Sequence, residues 1–258
     1  MALTTISYGG KAIVYNSGYM QYTPGAASST LLTNLRLYFK LDETSGDFAD
    51  SADYGATTYA ATTTAPRTTA GILNGCIDCS AGTEYCEIGD AVGGIDNVAP
   101  TADVMSYSVW VYLHTLPSTW ANDAYAVMNN SNTGYIKLTN TGRIQLDFVD
   151  ASLNSYYTNY LWSPSINTWY NIVSINNGSG LHAQCYVNNS EQSIYSETGV
   201  FMGVLRHRAA DAYVGGYYDG VSSVNARCDE FGMWGKALTS TEVNTLWNGG
   251  AGKSYPFT

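Results

Sequence analysis

The sequence predicts an all-β fold, arranged as an antiparallel sandwich or barrel, with a single short helix near the C-terminus. Composition and the spacing of strand and turn patterns both predict this class. Charged residues make up only 12% of the 258 residues, whereas Tyr contributes 22 and Gly 26. Tyr and Thr suit a pleated, half-buried surface, while the charged residues that favour helices are scarce.

Apolar alternation marks the strands, and Gly- or Asn-containing turns separate them at close spacing. The clearest strand runs from residue 105 to 113, where the odd positions are predicted to share one face and the even positions the other. The pairs Asn177-Gly178 and Asn188-Asn189 tolerate positive φ and predict tight hairpins. Further strands are predicted at 35–41, 134–138, 142–149, 169–175, 182–187 and 212–218.

The predicted helix begins after Thr239, which is a favourable N-cap. Glu242, three residues later, completes a capping box, and Leu238 with Val243 forms a hydrophobic staple across the helix start. Gly249-Gly250 is predicted to end the helix, because glycine adopts the left-handed conformation at little cost.

Charge and hydropathy exclude several classes of partner. A net charge of −10 disfavours nucleic acid and anionic membrane surfaces, because their phosphates would be repelled. No apolar run approaches the roughly 20 residues that span a bilayer, so no membrane insertion is expected. The N-terminus lacks the basic and apolar regions of a signal peptide. Five cysteines cannot all pair within the chain, which favours folding in a reducing cytosol.

Two regions are predicted along the chain. Residues 1–30 contain short β-like runs and end in a small-residue linker from Gly25 to Thr30, whereas residues 31–258 carry the regular strand pattern. The first region is too short to bury a core alone, so it is predicted to be an arm that docks on another protein. The alternative is an ordinary edge hairpin of the main domain.

The order of several motifs along the chain identifies a family resemblance. An apolar strand leads into Leu41–Gly46 (LDETSG), and the turn Asp50–Gly55 follows. Ser106–Leu113 carries a central Trp, and Cys228–Trp247 closes the series, although Asn189 stands where a Gly is expected. This order resembles laminin G-like domains over about residues 33 to 250. The resemblance implies a two-sheet antiparallel jelly roll of the concanavalin A-like class that binds glycans or extracellular proteins.

An acidic pair opens the last predicted strand. Strict alternation places Asp229 on the same face as Phe231 and Met233, where a carboxylate is costly without a partner. The resemblance implies a structural Ca²⁺ ion beside this position in many members. The ligands that it implies in this chain are Asp229 and Asp50, with Asp53 and Glu43 as weaker candidates. The alternative is a metal-free Asp229 that accepts hydrogen bonds from backbone N–H groups of a neighbouring loop.

No acid pair has the spacing expected of a catalytic site. Glucan-cleaving enzymes with the concanavalin A-like fold carry the motif Glu-x-Asp-x-x-Glu on one strand. Two of its carboxyl groups act as the nucleophile and the general acid. The acids at 84, 87 and 90 have other spacing, and Asp147 and Asp150 fall on opposite faces of their strand. A non-enzymatic protein is therefore predicted.

Aromatic residues mixed with amides predict a glycan-binding patch. Sugar rings stack on aromatic side chains, while amides and carboxylates bind the hydroxyls. The richest stretch is residues 154–162, and the loop residues Tyr125, Tyr217 and Tyr218 are further exposed candidates. The alternative for each aromatic is ordinary packing in the sandwich. The predicted ligand-binding residues are Tyr156, Tyr157, Tyr160, Trp162, Asn159 and Trp120.

A binding sandwich without an export signal predicts release by another route, as for virion components at lysis. The expected function is a virion surface protein of a phage fibre, tail or capsid decoration, which adheres to a glycan or host receptor. Residues 1–30 would dock it on other virion proteins, and a homo-oligomer is compatible with the sequence. The alternatives are a purely structural decoration protein and a secreted, extracellular bacterial carbohydrate-binding module.

Overall fold

The structure is a computed structural model. It describes residues 30–52, 60–89, 104–129, 134–199, 203, 205, 211–219 and 221–258, and the backbone of three strands at 4–8, 11–16 and 19–23. Within these residues two antiparallel sheets and one short helix form a jelly-roll sandwich of the concanavalin A-like class, which confirms the predicted fold. Strands are numbered in chain order.

The first layer of the sandwich, as far as the described residues show, is an eight-stranded antiparallel sheet centred on two long strands. In sheet order its strands are β17 (Ser190–Glu191), β16 (Gln184–Val187), β15 (Trp169–Asn176), β10 (Met105–Leu113), β20 (Ala226–Trp234), β8 (Cys76–Asp78) and β7 (Arg67–Thr68), with β4 (Leu35–Phe39) also paired to β20. The odd positions of β10 share one face, as predicted, and this face is buried in the core between the sheets. The pairing of β4 with β20 joins the first and last strands of the sandwich.

The second layer is a nine-stranded antiparallel sheet in the described part of the chain. In sheet order its strands are β18 (Ile194–Glu197), β14 (Ser155–Leu161), β13 (Arg143–Val149), β12 (Gly134–Leu138), β11 (Ala124–Asn129), β19 (Ala212–Val214), β9 (Cys86–Gly89), β6 (Ala60–Thr63) and β5 (Phe48–Ala49). Alternate residues of these strands fill the core between the layers. The opposite face of this sheet points away from the core and carries the candidate ligand-binding site.

A second, smaller core covers the outer face of the eight-stranded sheet. Helix α1 (Ser240–Trp247) packs there with the C-terminal tail, and Trp247 stacks on Trp110 with ring centroids 5.5 Å apart. The predicted capping box of Thr239 and Glu242 is present. The helix ends one residue earlier than expected, because Asn248 itself adopts the left-handed conformation. No helix in the described residues has the length and hydropathy to cross a membrane.

A β-bulge interrupts strand β20 at the acidic pair. Trp110 of β10 lies opposite Asp229, whereas Ser108 lies opposite Gly232, so β20 holds an extra residue between them. Glu230 has a φ of 50° at this point. The extra residue breaks the alternation, so Asp229 shares a face with Trp110 and not with Phe231. The expectation that Asp229 points the same way as Phe231 and Met233 is therefore wrong.

The two predicted hairpins behave differently. Asn188 and Asn189 both have positive φ and join β16 to β17 in a tight turn, as predicted. Asn177 and Gly178 do not form such a turn, because β16 begins only at Gln184. The side-chain amide of Asn177 donates to the carbonyl of His182 and to the Gln184 side chain, which closes a longer loop.

The strands near the N-terminus form a sheet of their own. Strands β1 (Thr4–Tyr8), β2 (Lys11–Asn16) and β3 (Tyr19–Thr23) pair antiparallel in sequence order. The linker lies mostly outside the described residues, which resume with a helical turn at Thr30–Leu32. The division into an arm of residues 1–30 and a sandwich of residues 31–258 stays a prediction.

Candidate ligand-binding site

The acidic pair Asp229-Glu230 lies where the pairing partner of β20 changes from β8 to β4. Residues 227 and 228 of β20 pair with β8, while residues 231–234 pair with β4. The loop before β8 enters the gap. Its Ile72 and Leu73 N–H groups donate to Oδ2 of Asp229 at 2.8 and 3.2 Å, and the Glu230 N–H donates to Oδ1 at 2.9 Å. Asp229 is fully buried and satisfied by backbone donors.

Glu230 occupies a separate buried site beside the second core. The Tyr38 hydroxyl donates to Glu230 Oε2 at 2.5 Å, and Ser254 lies beside the same carboxylate. Burial raises the pKa of Glu230 to about 7. Burial, and then the neighbouring Glu230 charge, also raise the pKa of Asp229. Burial and the proximity of Asp229 and Glu230 therefore both favour the protonated, uncharged carboxyl group.

The predicted calcium ligands do not converge in the described residues. Phe39 of β4 pairs with Phe231 on one side and with Asp50 on the other, so β4 separates Asp50 from β20. Asp50 Oδ1 accepts from the backbone N–H groups of Tyr38 and Ala52. Glu43 accepts from the Ala49 N–H, and Asp53 lies outside the described residues.

These contacts do not fit a shared cation. Among the described residues, no three His, Cys, Asp or Glu side chains are grouped in a way that holds a metal ion. Three backbone N–H groups already occupy the oxygens of Asp229. Asp229 therefore has the backbone hydrogen bonds that the alternative interpretation expects, and Ca²⁺ binding stays a prediction.

Two of the predicted sugar-binding aromatics belong to the core. Tyr160 is 1% exposed, and its hydroxyl donates to the Ala183 carbonyl at 2.5 Å. Trp162 is 9% exposed and packs edge-on against Tyr170. Trp120 is half-buried against the same core and donates its ring N–H to Thr115. Tyr160, in β14, and Trp162, directly after it, therefore point towards the core and away from the outer face of the sheet.

The remaining predicted residues divide between the two faces of β14. Tyr156 packs on the core and its hydroxyl donates to Asp150. Tyr157 and Asn159 point outward, opposite Asp147 and Gln145 of β13. Asn159 bonds the side chains of Gln145 and Ser196 there. Only Tyr157 and Asn159 of the predicted patch in this strand reach the outer face.

The structure instead groups tyrosines from several strands and one loop on the outer face of the nine-stranded sheet. We call this group the tyrosine face, and it consists of Tyr125, Tyr135, Tyr213, Tyr217 and Tyr218. The centroids of Tyr125 and Tyr135 lie 5.3 Å apart, and those of Tyr125 and Tyr217 lie 6.3 Å apart. Tyr217 in turn contacts Tyr213 and Tyr218, which gives a continuous aromatic surface.

Two pockets flank Tyr125 on this face. One has a volume of about 450 Å³ and is lined by Tyr125 and Tyr135, the apolar side chains of Met128, Val149 and Leu153, and the polar Asp147 and Ser155. The other has a volume of about 470 Å³ and is lined by Asn122, Asp123, Tyr125, Lys137, Asn140, Val221 and Ser222. Each is large enough for a small ring-shaped ligand, and together they border one aromatic side chain.

Asp147 is the polar centre of the first pocket. Although only 4% exposed, it accepts hydrogen bonds from the hydroxyls of Tyr135 and Ser155. A carboxylate has about four acceptor positions, so Asp147 keeps capacity for a further donor. A buried, oriented carboxylate beside apolar walls suits a ligand that offers hydroxyl groups and an apolar ring face.

A third pocket lies away from the tyrosine face, beside the loop that follows β4. It has a volume of about 580 Å³, and its polar lining includes Asp42, Glu43, Arg67 and Asn74. Asp42 already accepts from the Gly75 N–H and the Asn74 amide. This pocket carries no cluster of aromatic side chains, unlike the tyrosine face.

Sequence reasoning found part of the tyrosine face but not its assembly. Tyr125, Tyr217 and Tyr218 are among the exposed aromatics that the sequence singles out, whereas Tyr135 and Tyr213 stand in predicted strands without a role. The signal that identifies Tyr135 is its alternation with Ile136 and Leu138, which places it outward. The pairing of β11 with β19 brings the two groups together, and a local pattern does not reveal that pairing.

Three solved structures with a similar fold are described as receptor- or ligand-binding domains. The receptor binding domain of botulinum neurotoxin C/D mosaic serotype gives a TM-score of 0.63 at 12% identity over 84% of this chain. The ligand binding domain of botulinum neurotoxin serotype D, in complex with N-acetylneuraminic acid, gives 0.65 at 12% identity over 87%. The type G receptor binding domain gives 0.55 at 15% identity over 84%.

This chain spans 52%, 53% and 51% of those three chains, respectively. At such identities the likeness shows the fold alone. No curated protein matches the sequence. A family model described as the concanavalin A-like lectin/glucanases superfamily matches residues 81–244, which is more than half of the chain. The chain therefore belongs to this laminin G-like family, whose jelly-roll sandwich the structure displays.

Proposed function

We propose that this protein is a non-enzymatic adhesion protein that binds a glycan on the tyrosine face. The observation that carries the proposal is the continuous aromatic surface with the buried Asp147 carboxylate beside it. The family includes lectins, and the structural neighbours are described as receptor- and ligand-binding domains. These descriptions support a binding role for the same fold.

The face offers both kinds of contact that a sugar ring requires. The half-buried rings of Tyr125 and Tyr135 present apolar surface to the C–H face of a sugar. Asp147, held by Tyr135 and Ser155, accepts from a sugar hydroxyl without paying for its own ordering. Because these side chains lie on strands, the arrangement is rigid before a ligand arrives.

Asp147 and Glu87 are too far apart to act together in glycoside hydrolysis. Asp147 lies on β13 and Glu87 on β9, and β12, β11 and β19 lie between them. Four strand spacings amount to roughly 19 Å. Catalytic carboxylate pairs lie only about 5 to 9.5 Å apart. This separation argues against Asp147 and Glu87 as a catalytic pair.

The proposal extends to the place where the protein acts. It is a surface component of a virion, and residues 1–30 dock it on other virion proteins while the sandwich faces the host. The separate antiparallel sheet of β1, β2 and β3 supports an arm with its own structure. Deleting residues 1–30 should abolish incorporation into particles while leaving the sandwich folded. Normal incorporation would contradict the docking role.

Binding on the tyrosine face is tested with the full chain on a glycan array, followed by measured affinities for the glycans that are retained. Tyr125→Ala should lower the affinity at least about tenfold, because Tyr125 borders both pockets. Leu181→Ala is the control, since Leu181 is an exposed side chain on the loop before β16 of the other sheet. Absence of any retained glycan would overturn the proposal and favour a purely structural protein.

A further inference from the structure

The charges around the tyrosine face are unbalanced. Five described carboxylates lie on it or at its border: Asp123, Asp147, Asp211, Asp219 and Glu87. Each contributes negative potential to the aromatic rings. Burial, and then the charges of Asp219, Asp123 and Asp147, raise the pKa of Tyr125. Burial and the charge of Glu87 likewise raise the pKa of Tyr213, so both ends of the face experience the same sign of field.

The basic side chains in the described part of this face are already engaged. The Lys137 ammonium lies 3.9 Å from Asp123, and 5.2 Å from the ring centroids of both Tyr125 and Tyr135. Arg143, at the far edge, lies over the Tyr195 ring at 3.6 Å and donates to Thr141. A carboxylate on a ligand would compete with these partners for either cation.

The polar atoms that face the first pocket are mainly acceptors. Asp147 supplies carboxylate oxygens, and the hydroxyls of Tyr135 and Ser155 are both donated to it. A ligand hydroxyl can donate to such a site, whereas a ligand carboxylate finds no free donor among these three side chains. The negative charges and the hydrogen-bond acceptors of this face therefore both favour a ligand hydroxyl over a ligand carboxylate.

We propose that the tyrosine face binds neutral glycans in preference to acidic ones, so that a sialic acid or sulfate substituent weakens binding. This proposal rests on the proposed glycan-binding function and specifies its ligand class. It distinguishes this chain from the structural neighbour described in complex with N-acetylneuraminic acid. The fold is shared, but the charges on this chain's face oppose that ligand.

The test compares matched pairs of glycans on one array: neutral oligosaccharides and the same oligosaccharides bearing a terminal sialic acid or a sulfate. The full chain should retain the neutral members and bind the acidic members several-fold more weakly. Raising the salt from 50 to 500 mM should narrow this difference, because salt screens repulsion between exposed charges.

Charge variants make the test specific to the face. Asp123→Asn with Asp219→Asn removes two negative charges and keeps an Oδ1 acceptor for the backbone N–H groups that each residue binds. Acidic glycans should gain about twofold for each charge removed. The matched control, Asp47→Asn with Glu191→Gln, removes the same charge at exposed positions away from the face and should not change the ratio.

The outcomes separate this inference from the function on which it rests. Equal or tighter binding of the acidic members would overturn the neutral preference while leaving glycan binding intact. The ratio of acidic to neutral glycan binding could also stay the same when the salt is raised and in the Asp123 and Asp219 variants. That result would overturn the electrostatic explanation. If no member of any pair is retained, the glycan-binding function itself fails.

Discussion

The Tyr135 hydroxyl donates a hydrogen bond to the Asp147 carboxylate across neighbouring strands of the nine-stranded sheet. The two residues are directly opposite each other in the pairing of β12 and β13. Outward positions of adjacent strands lie close enough for such cross-strand contacts. The bond holds the carboxylate in one orientation beside the aromatic rings and so links the sheet register to the geometry of the proposed binding site.

Asp147→Asn should lower glycan affinity about tenfold or more. A hydrogen bond to a charged group contributes roughly 1.5–3 kcal/mol, and the amide replaces one acceptor oxygen with a donor. Affinities of the variant and the wild type for an array-selected neutral glycan provide the measurement. Unchanged affinity in a variant that retains its melting temperature would remove Asp147 from the site.

Trp162→Ala should destabilise the fold without altering the site. Trp162 is 9% exposed and packs on the core, so its removal should cost about 3–5 kcal/mol. Denaturant unfolding gives this value, and the affinity of the folded fraction should match the wild type. A large loss of affinity with little loss of stability would restore Trp162 as a ligand contact.

Glu230 should make the protein less stable as the pH rises. Its folded pKa is about 7, above the ordinary value of 4.5, so the folded state binds more protons between these values. Stability from this group is therefore complete below pH 4.5 and is lost as the pH rises through about 7. The difference in pKa corresponds to roughly 3 kcal/mol as an upper bound.

Glu230→Gln tests this dependence, because glutamine keeps an acceptor for the Tyr38 hydroxyl and carries no charge. The variant should flatten the fall in unfolding free energy between pH 5 and pH 8. The exposed control Glu191→Gln should retain the wild-type slope. A Glu230→Gln variant with an unaltered slope would assign the pH dependence to other groups.

Asp229→Ala should lower stability by about 2–3 kcal/mol in the presence or absence of Ca²⁺. The cost arises because the Ile72 and Leu73 N–H groups lose their buried acceptor. Thermal melts with added Ca²⁺ and with chelator measure both parts of this expectation. A Ca²⁺-dependent rise in melting temperature that Asp229→Ala abolishes would show that Asp229 is a calcium ligand after all.

The sandwich could be predicted from the sequence because its long strands obey simple alternation. The odd positions of β10 share one face as expected, and the capping box of Thr239 starts the helix. The bulge at Glu230 could not be predicted, because an extra residue in β20 is defined only against its partner β10. One inserted residue moved Asp229 to the opposite face.

The binding patch shows a second limit of the same kind. The sequence does not distinguish Tyr157 from Tyr160. Tyr157 nevertheless points outward and Tyr160 is buried, because β14 places them on opposite faces. The neighbours of Tyr125 come from residues 135 and 217, which sheet pairing alone brings together. Composition therefore indicates that tyrosines could form a binding surface, and the strand order shows which of them share a face.

The most direct measurement is the location of a bound neutral glycan, mapped by changes in backbone amide NMR signals during titration. The largest changes should fall on β11, β12 and β13 and on the turn at 217–222, around Tyr125 and Asp147. Changes concentrated at the pocket of Asp42 and Arg67, or on the eight-stranded sheet, would contradict the assignment of the tyrosine face as the binding surface.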